Sequence, residues 1–189
     1  MTLKRTLQAL AVAAGAAVAC DSTKPEDELT LGQSITILRE LLVLAERSWP
    51  DNIATCPLGN GASVVFDDNR RQRGDTVWIT NVATVTPKGC RLSANGDTLV
   101  LEGDSGIVFD LRGWHLYEDR VDSEVDMAIT GAVRWSNTRG ASNSCQVDLT
   151  MAGARRREEY GEIDGDLSGR LCGRDTSFHY SEIDFTLVE

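Results

Sequence analysis

The sequence predicts a mainly β protein of the α+β class, with one N-terminal amphipathic helix packed on a curved antiparallel β-meander or open barrel. Two patterns support this prediction. A single segment of helical periodicity occurs near the start of the chain, and from Asn60 onward apolar and polar residues alternate with period two. Strands and helices do not alternate along the chain, so a parallel sheet is not expected.

The helix is expected over residues 31–48. Thr30 and Gln33 stand three residues apart like a capping box, and Pro50 ends the segment. Six apolar residues cover nearly half of the helix circumference: Ile37, Leu38, Leu41, Leu42, Leu44 and Ala45. Val43 is the one apolar residue on the opposite side. An apolar face of this width is typical of a helix on a sheet, and a coiled-coil seam would be narrower.

The strands, about eight or nine in number, are expected to be short and joined by short turns. They are residues 62–66, 76–85, 90–92, 98–102, 107–111, 125–135, 145–151, about 162–171 and about 181–188. Turns are expected at the polar stretch 67–74, at 87–89, at Asn95-Gly96 and at 103–106.

The first nineteen residues have the three parts of a secretory signal. Lys4 and Arg5 form a positive head, an apolar run covers residues 7–14, and small residues precede Cys20. The stretch Ala17-Val18-Ala19-Cys20 resembles the lipobox of bacterial lipoproteins, whose cysteine receives diacylglycerol. This resemblance implies that Cys20 becomes a lipid-modified first residue that anchors the protein in a membrane. An ordinary signal peptide cut at the same site is the alternative.

Three segments follow from this interpretation: a lipoprotein signal peptide (1–19), a lipidated N-terminus and tether (20–29) and a single helix-plus-β domain (30–189). The expected location is the bacterial cell envelope, facing the periplasm or the cell surface. Asp21 resembles the inner-membrane retention signal of enteric bacteria, and the choice of membrane stays open.

The charge of the chain limits its partners. Without the leader's Lys4 and Arg5, the mature part carries 17 basic and 29 acidic residues, a net charge of −12. Nucleic acid and anionic headgroups both require clustered positive charge, so neither is an expected partner. The acidic residues are spread along the chain, which favours a solvated surface over cation binding.

Five cysteines become an even set of four once Cys20 is assigned to lipid. None lies in a C-x-x-C pair, so two disulfides are favoured over a redox or zinc site. Residues equidistant from a hairpin turn lie opposite each other, within disulfide range. Cys56 and Cys90 are centred on Arg73, and Cys145 and Cys172 are centred on the pair at 158–159, so these two pairings are predicted.

Four motifs between residues 56 and 173 carry a family resemblance. They are Cys56-Pro57-Leu58-Gly59, Gly89-Cys90, Cys145-Gln146-Val147-Asp148 and Leu171-Cys172-Gly173. Together they resemble a group of poorly characterised bacterial envelope lipoproteins with a two-disulfide antiparallel β domain. The resemblance implies the fold and the disulfides, and it implies no activity.

Motifs for catalysis and metal binding are weak. Gly103-Asp104-Ser105-Gly106 is similar to the nucleophile motif of trypsin-like proteases, but both histidines, His115 and His179, follow the serine. The acidic stretches 67–69 and 164–166 do not match a calcium loop and are interpreted as solvated turns. No catalytic residue, metal ligand or cofactor is assigned.

The aromatic residues Trp78, Phe109, Trp114, Tyr117 and Trp135 are candidates for lining a ligand cavity, although core packing is favoured for them. Three functions are considered. The first is a non-enzymatic, membrane-tethered module that binds an envelope protein partner or has a structural role. The second is a carrier or sensor of an apolar ligand, which needs a cavity of roughly 300 Å³ or more between helix and sheet. The third is a hydrolase, which needs Ser, His and acid within hydrogen-bond reach.

Overall fold

The computed structural model describes residues 28–48, 52–116, 123–155 and 163–183. Within these ranges the chain is mainly antiparallel β with one α-helix, which confirms the predicted class. The elements are α1 (Leu31–Arg47), β1 (Ile53–Thr55), β2 (Gly61–Arg73), β3 (Thr76–Ala94), β4 (Asp97–Leu116), β5 (Ser123–Asn137), β6 (Ser142–Arg155), β7 (Ile163–Asp164), β8 (Asp166–Leu171), β9 (Arg174–His179) and a 3-10 turn (Tyr180–Glu182). The predicted signal peptide, Cys20 and most of the tether lie outside the described residues.

Helix α1 begins at the predicted capping box. The Thr30 side chain accepts a hydrogen bond from the Gln33 amide at 3.2 Å, and the Gln33 side chain accepts one from the Thr30 amide at 2.9 Å. All six residues of the predicted apolar face are buried. Val43, which was expected on the solvent side, is buried as well, so burial extends beyond the predicted face.

In the described ranges, the strands form one nine-stranded antiparallel sheet with the order β1-β2-β3-β4-β5-β6-β8-β9, and β7 pairs with β6 beside this path. Consecutive strands therefore lie next to each other, as in a meander, except that β7 and β8 both pair with β6. One face of the sheet is apolar, and its residues form a single buried core cluster with those of α1. The fully buried members include Val85, Leu101, Ile107, Ile129, Leu149 and Leu167 from the strands and Ile37, Leu38 and Leu41 from the helix.

Two predicted turns are bulges inside continuous strands. The pairing of β3 with β4 shifts register between Val85 and Cys90, and the pairing of β4 with β5 shifts between Glu102 and Gly106. Gly106 takes a φ of 76°, which is the left-handed backbone that one type of β-bulge requires. Because glycine, proline and aspartate are common in both turns and bulges, the sequence did not distinguish them.

Two further expectations are wrong. The stretch 67–74 is not a turn, since β2 continues to Arg73 and the chain reverses at Gly74-Asp75. Residues 181–183 belong to the 3-10 turn and its cap rather than to a strand, and the remainder of the predicted 181–188 strand lies outside the described residues. The strand β9 was not predicted.

Two disulfides join the predicted pairs. Cys56 is bonded to Cys90 with their Cα atoms 5.5 Å apart, and Cys145 is bonded to Cys172 with their Cα atoms 4.1 Å apart. The first fastens the β1–β2 connection to β3, where Leu58 and Gly59 also exchange backbone hydrogen bonds with Arg91. The second fastens β6 to the end of β8, where the Cys172 amide donates to the Gln146 carbonyl at 2.8 Å.

Candidate functional site

The solvent face of the sheet carries two tryptophans side by side. Side chains alternate between the two faces of a strand, so the residue that follows the fully buried Val77 points outward. That residue is Trp78, and the strand pairing places it directly opposite Trp114 of β4. The two ring centroids are 6.3 Å apart, with an angle of 49° between the ring planes. This spacing is that of an aromatic pair in contact.

The two rings differ in exposure. Trp114 is partly buried, and its indole nitrogen donates a hydrogen bond to the Glu124 carboxylate at 3.3 Å. Trp78 is 51% exposed. Trp114 is therefore held in place from the β5 side, and it supports a Trp78 ring that remains open to solvent.

A groove of about 510 Å³ runs beside Trp78. It is lined by Asp67, Asn69 and Arg71 of β2 and by Trp78 and Thr80 of β3. The pairing of β2 with β3 places Arg71 opposite Trp78 and Asn69 opposite Thr80. We call these five residues the Trp78 groove.

The polar side chains of the Trp78 groove have hydrogen-bonding groups that no described residue uses. Within the described part of the chain, Asp67, Asn69, Arg71 and Thr80 make no side-chain hydrogen bond or ion pair. A ligand that enters the groove can therefore bind them without breaking bonds inside the protein.

Charged groups next to the groove are already paired. The Arg112 guanidinium, beside Thr80 on the same face, donates to both oxygens of Asp110 at 3.0 and 2.6 Å. These hydrogen bonds and the charge of Asp110 raise the pKa of Arg112 above its already high ordinary value. On β8 and β9, Arg170 lies 3.5 Å from Asp175. Within the described residues, the groove thus combines unpaired polar groups with an exposed aromatic ring.

A second candidate site joins a carboxylate, an imidazole and a hydroxyl. His179 Nε2 is 3.0 Å from the Asp164 carboxylate, and His179 Nδ1 is 2.8 Å from the Ser181 hydroxyl. The Ser181 amide also points at Nδ1, at 3.4 Å, because His179 caps the 3-10 turn. This arrangement favours the tautomer in which Nε2–H donates to Asp164 and Nδ1 accepts from Ser181. Capping of the 3-10 turn is a sufficient structural reason for the contact between His179 and Ser181. The same order of groups can also pass a proton from the Ser181 hydroxyl to the His179 ring.

A cavity of about 450 Å³ lies at the junction between the start of α1 and the turns of the sheet. Its lining includes Glu28, Gln33, Asp97 and Arg139. Asp97 accepts hydrogen bonds from Gln33 at 3.2 Å and from Arg139 at 2.6 Å. The carrier hypothesis requires an apolar lining, whereas this cavity combines the apolar Leu29, Trp135 and Ala141 with these charged, hydrogen-bonded side chains.

The structure separates the predicted ligand-lining aromatics. Trp78 and Trp114 come together on the solvent face, whereas Phe109 and Trp135 are each 4% exposed and belong to the core. The four residues therefore do not line one cavity. Tyr117 and the side chain of His115 lie outside the described residues, and Ser105 is exposed at the bulge of β4.

The polar groove residues were not predicted as a site. Asp67, Asn69 and Arg71 fall in the stretch interpreted as a turn. One signal in the sequence could have found them. These three polar residues occupy every second position, as on one face of a strand, shortly before the strand that contains Trp78.

The described ranges contain neither a metal-binding cluster nor a membrane-spanning helix. No group of three or more His, Cys, Asp or Glu side chains there could hold a metal ion. No helix in the same ranges is long and apolar enough to cross a lipid bilayer.

No protein-family model, curated protein or solved structure matches this chain. The resemblance to envelope lipoproteins accordingly stays a prediction from sequence motifs.

Proposed function

We propose that this protein is a lipid-anchored lipoprotein of the bacterial envelope whose β domain is a non-enzymatic binding module, with the Trp78 groove as its recognition surface. The observation that carries the proposal is the half-exposed Trp78 ring, in contact with the tilted ring of Trp114 and bordered by four polar side chains that have no partner among the described residues. Tryptophan and arginine supply much of the binding energy at recognition surfaces, and both occur in this groove.

The proposed architecture of the module is an open barrel with the helix inside its curve. Gly106 and Gly131, on neighbouring strands, both have positive φ angles, and glycine bends of this kind curve a sheet. Residues in and just before α1 also contact the last described part of the chain, β9 and the 3-10 turn. Arg39 donates to the Glu182 carbonyl at 3.0 and 2.6 Å, and Glu28 lies 3.2 Å from Arg174.

The proposed anchor is the lipid on Cys20, which would hold the module at a membrane while the acidic surface of the domain faces water. Mass spectrometry of the protein purified from its own envelope tests this. We expect the mature N-terminus to be a diacylated Cys20 and the Cys20→Ser variant to lose membrane attachment. A mature chain that begins elsewhere, or an unmodified Cys20, would overturn the anchor.

The recognition surface can be tested in the native envelope with a photo-crosslinking amino acid. It is placed at Thr80, inside the groove, or at Thr130, an exposed residue elsewhere on the same face of the sheet. We expect a crosslinked product from position 80 that disappears when Trp78→Ala is added, and none from position 130. The same yield from both positions, or no product from position 80, would contradict the proposal.

The bonded chain Asp164–His179–Ser181 favours a second candidate function, that of a serine hydrolase. The Ser181 oxygen would attack the acyl carbon of an ester or amide while its proton passes to His179 Nδ1. That proton would then go to the alcohol or amine that leaves as its bond to the acyl carbon breaks, and water would release the acyl group from Ser181. A fluorophosphonate probe tests this directly. Labelling that is lost in both Ser181→Ala and His179→Ala supports the hydrolase, and an unlabelled wild-type protein eliminates it. The apolar carrier stays a prediction, and the cavity beside the start of α1, with its charged side chains, does not favour it.

A further inference from the structure

The ligand that fits the Trp78 groove must satisfy an aromatic face and unpaired polar groups at the same time. Trp78 offers a flat ring that Trp114 supports from one side. Asp67 only accepts hydrogen bonds, Arg71 only donates them, and Asn69 and Thr80 do both. A purely apolar ligand would cover these groups and leave them unpaired, which costs free energy for each group.

The groove is elongated. Asp67, Asn69 and Arg71 occupy alternate positions of one strand, so neighbouring members are roughly 7 Å apart and the row is roughly 13 Å long. Trp78 lies beside one end of the row, across from Arg71, and Thr80 lies beside its middle. This shape suits a chain of linked rings better than one compact molecule.

The charge of the protein and of the groove excludes some classes of ligand. The chain carries a net charge of −10, and the single guanidinium of the groove stands in a row with a carboxylate. A polyanion such as nucleic acid or an acidic polysaccharide would be repelled. A polypeptide partner is also disfavoured, because the centres of protein interfaces are depleted in Asp, and Asp67 stands in this row.

We infer that the Trp78 groove binds a neutral oligosaccharide, built of pyranose units with mainly equatorial hydroxyl or acetamido groups. Such a unit presents a C–H face that packs on an aromatic ring, and each hydroxyl at its edge both donates and accepts. Trp78 takes the face of one unit, while Asp67, Asn69, Arg71 and Thr80 bond the edges of that unit and the next. This inference names the ligand class of the proposed function and rests on it.

The inference is tested by titrating the full mature protein, in detergent, with chitotetraose and with cellotetraose. Binding is measured by tryptophan fluorescence and by calorimetry. We expect saturable binding of at least one of them, and a fluorescence change that comes from Trp78. Trp78→Ala should weaken binding roughly tenfold or more, since it removes the stacking ring. Asp67→Ala and Asn69→Ala should each weaken binding roughly threefold to tenfold.

Val65→Ala is the matched control. Val65 lies on the same face of β2, is 64% exposed and does not line the groove, so binding should not change. Trp78→Tyr keeps an aromatic face and should recover part of the affinity, which separates loss of the ligand site from misfolding. Polygalacturonate, an acidic polysaccharide, should bind more weakly than either neutral probe.

Absence of saturable binding to both probes up to roughly 10 mM would overturn the inference, as would equal affinities of Trp78→Ala and Val65→Ala. The crosslinking experiment at Thr80 separates the two levels of the proposal. A polypeptide product at position 80 together with silent titrations leaves the recognition surface standing and removes the oligosaccharide. No product at position 80 and silent titrations remove both.

Discussion

Glu40 is a partly buried carboxyl group on α1, between Arg39 and Arg47. Burial raises the pKa of this carboxyl above its ordinary value, and the two arginines oppose the shift without cancelling it. The folded state therefore binds the proton more tightly than the unfolded state. Stability is fully retained below the unfolded pKa of about 4.3 and decreases as the pH rises through the higher folded value.

Glu40→Gln removes this titration. We expect the variant to have a larger free energy of unfolding than the wild type at pH 7, and the two to converge below about pH 4. Urea denaturation at several pH values measures both curves. The control is Asp68→Asn, an exposed carboxyl on β2. Parallel pH profiles of the wild type and the Glu40→Gln variant would show that the burial of Glu40 has no energetic effect.

Gly131 takes a φ of 130° in the middle of β5, where a Cβ atom would collide with the Gly106 carbonyl oxygen. Gly131→Ala should therefore lower the free energy of unfolding by about 3 kcal/mol, from backbone strain and displacement of β4 together. Gly140→Ala is the matched control, because Gly140 also has a positive φ but open space around it, and about 1 kcal/mol is expected. Equal losses in both variants would refute the close approach of the two strands.

At the scale of elements, the sequence predicted the features that depend on hydrophobic periodicity and on the symmetry of residues about a hairpin turn. The capping box set the start of α1 at Leu31, and the even set of cysteines fell symmetrically about two hairpins. It could not separate a bulge from a turn at 87–89 or 103–106, because both need the same residues. It also missed the far half of β2, where both faces are exposed and no apolar alternation exists.

The same limits explain why the Trp78 groove was not foreseen. Trp78 and Trp114 were both candidate ligand residues, but their contact depends on β4 continuing through its bulge. A turn at 103–106 would have reversed the chain and carried Trp114 away from Trp78. Phe109 and Trp135 do not belong to the groove, because they are buried on the core face of their strands.

The two disulfides close segments of similar length, with separations of 34 and 27 residues. The chain-entropy model gives each about 3.5 kcal/mol of stability. We expect the double variants Cys56→Ser/Cys90→Ser and Cys145→Ser/Cys172→Ser to lose roughly this amount each in urea denaturation. A loss in one pair several times larger than in the other would mean that native packing, rather than loop closure, dominates the effect.

At the scale of the whole molecule, the proposed recognition surface and the core lie on opposite faces of the same strands. Val77 is fully buried in the sheet while the adjacent Trp78 is half exposed, so the two roles fall on neighbouring residues. Substitutions in the groove should therefore change binding with little effect on stability. This separation is what makes the proposed ligand experiments interpretable.

The ends of the described chain are also tied together. Arg39 of α1 donates two hydrogen bonds to the carbonyl of Glu182, 143 residues away. The 3-10 turn there is itself closed by the Ile183 amide, and the Tyr180 amide joins it to Gly165. If the helix fills the curve of an open barrel, this contact fixes the last strands to the first element of the fold.

Arg39→Ala tests that link. Hydrogen bonds to a charged group stabilise by about 1.5 to 3 kcal/mol, and the lower value applies here because the contact is exposed. We expect hydrogen exchange at the Tyr180 and Ile183 amides to accelerate roughly tenfold, while exchange in the central β4–β5 pairing stays unchanged. Arg47→Ala, at the C-terminal end of α1, is the control and should change neither. Faster exchange throughout the sheet, or none at the 3-10 turn, would mean that Arg39 does not join the helix to the last strands.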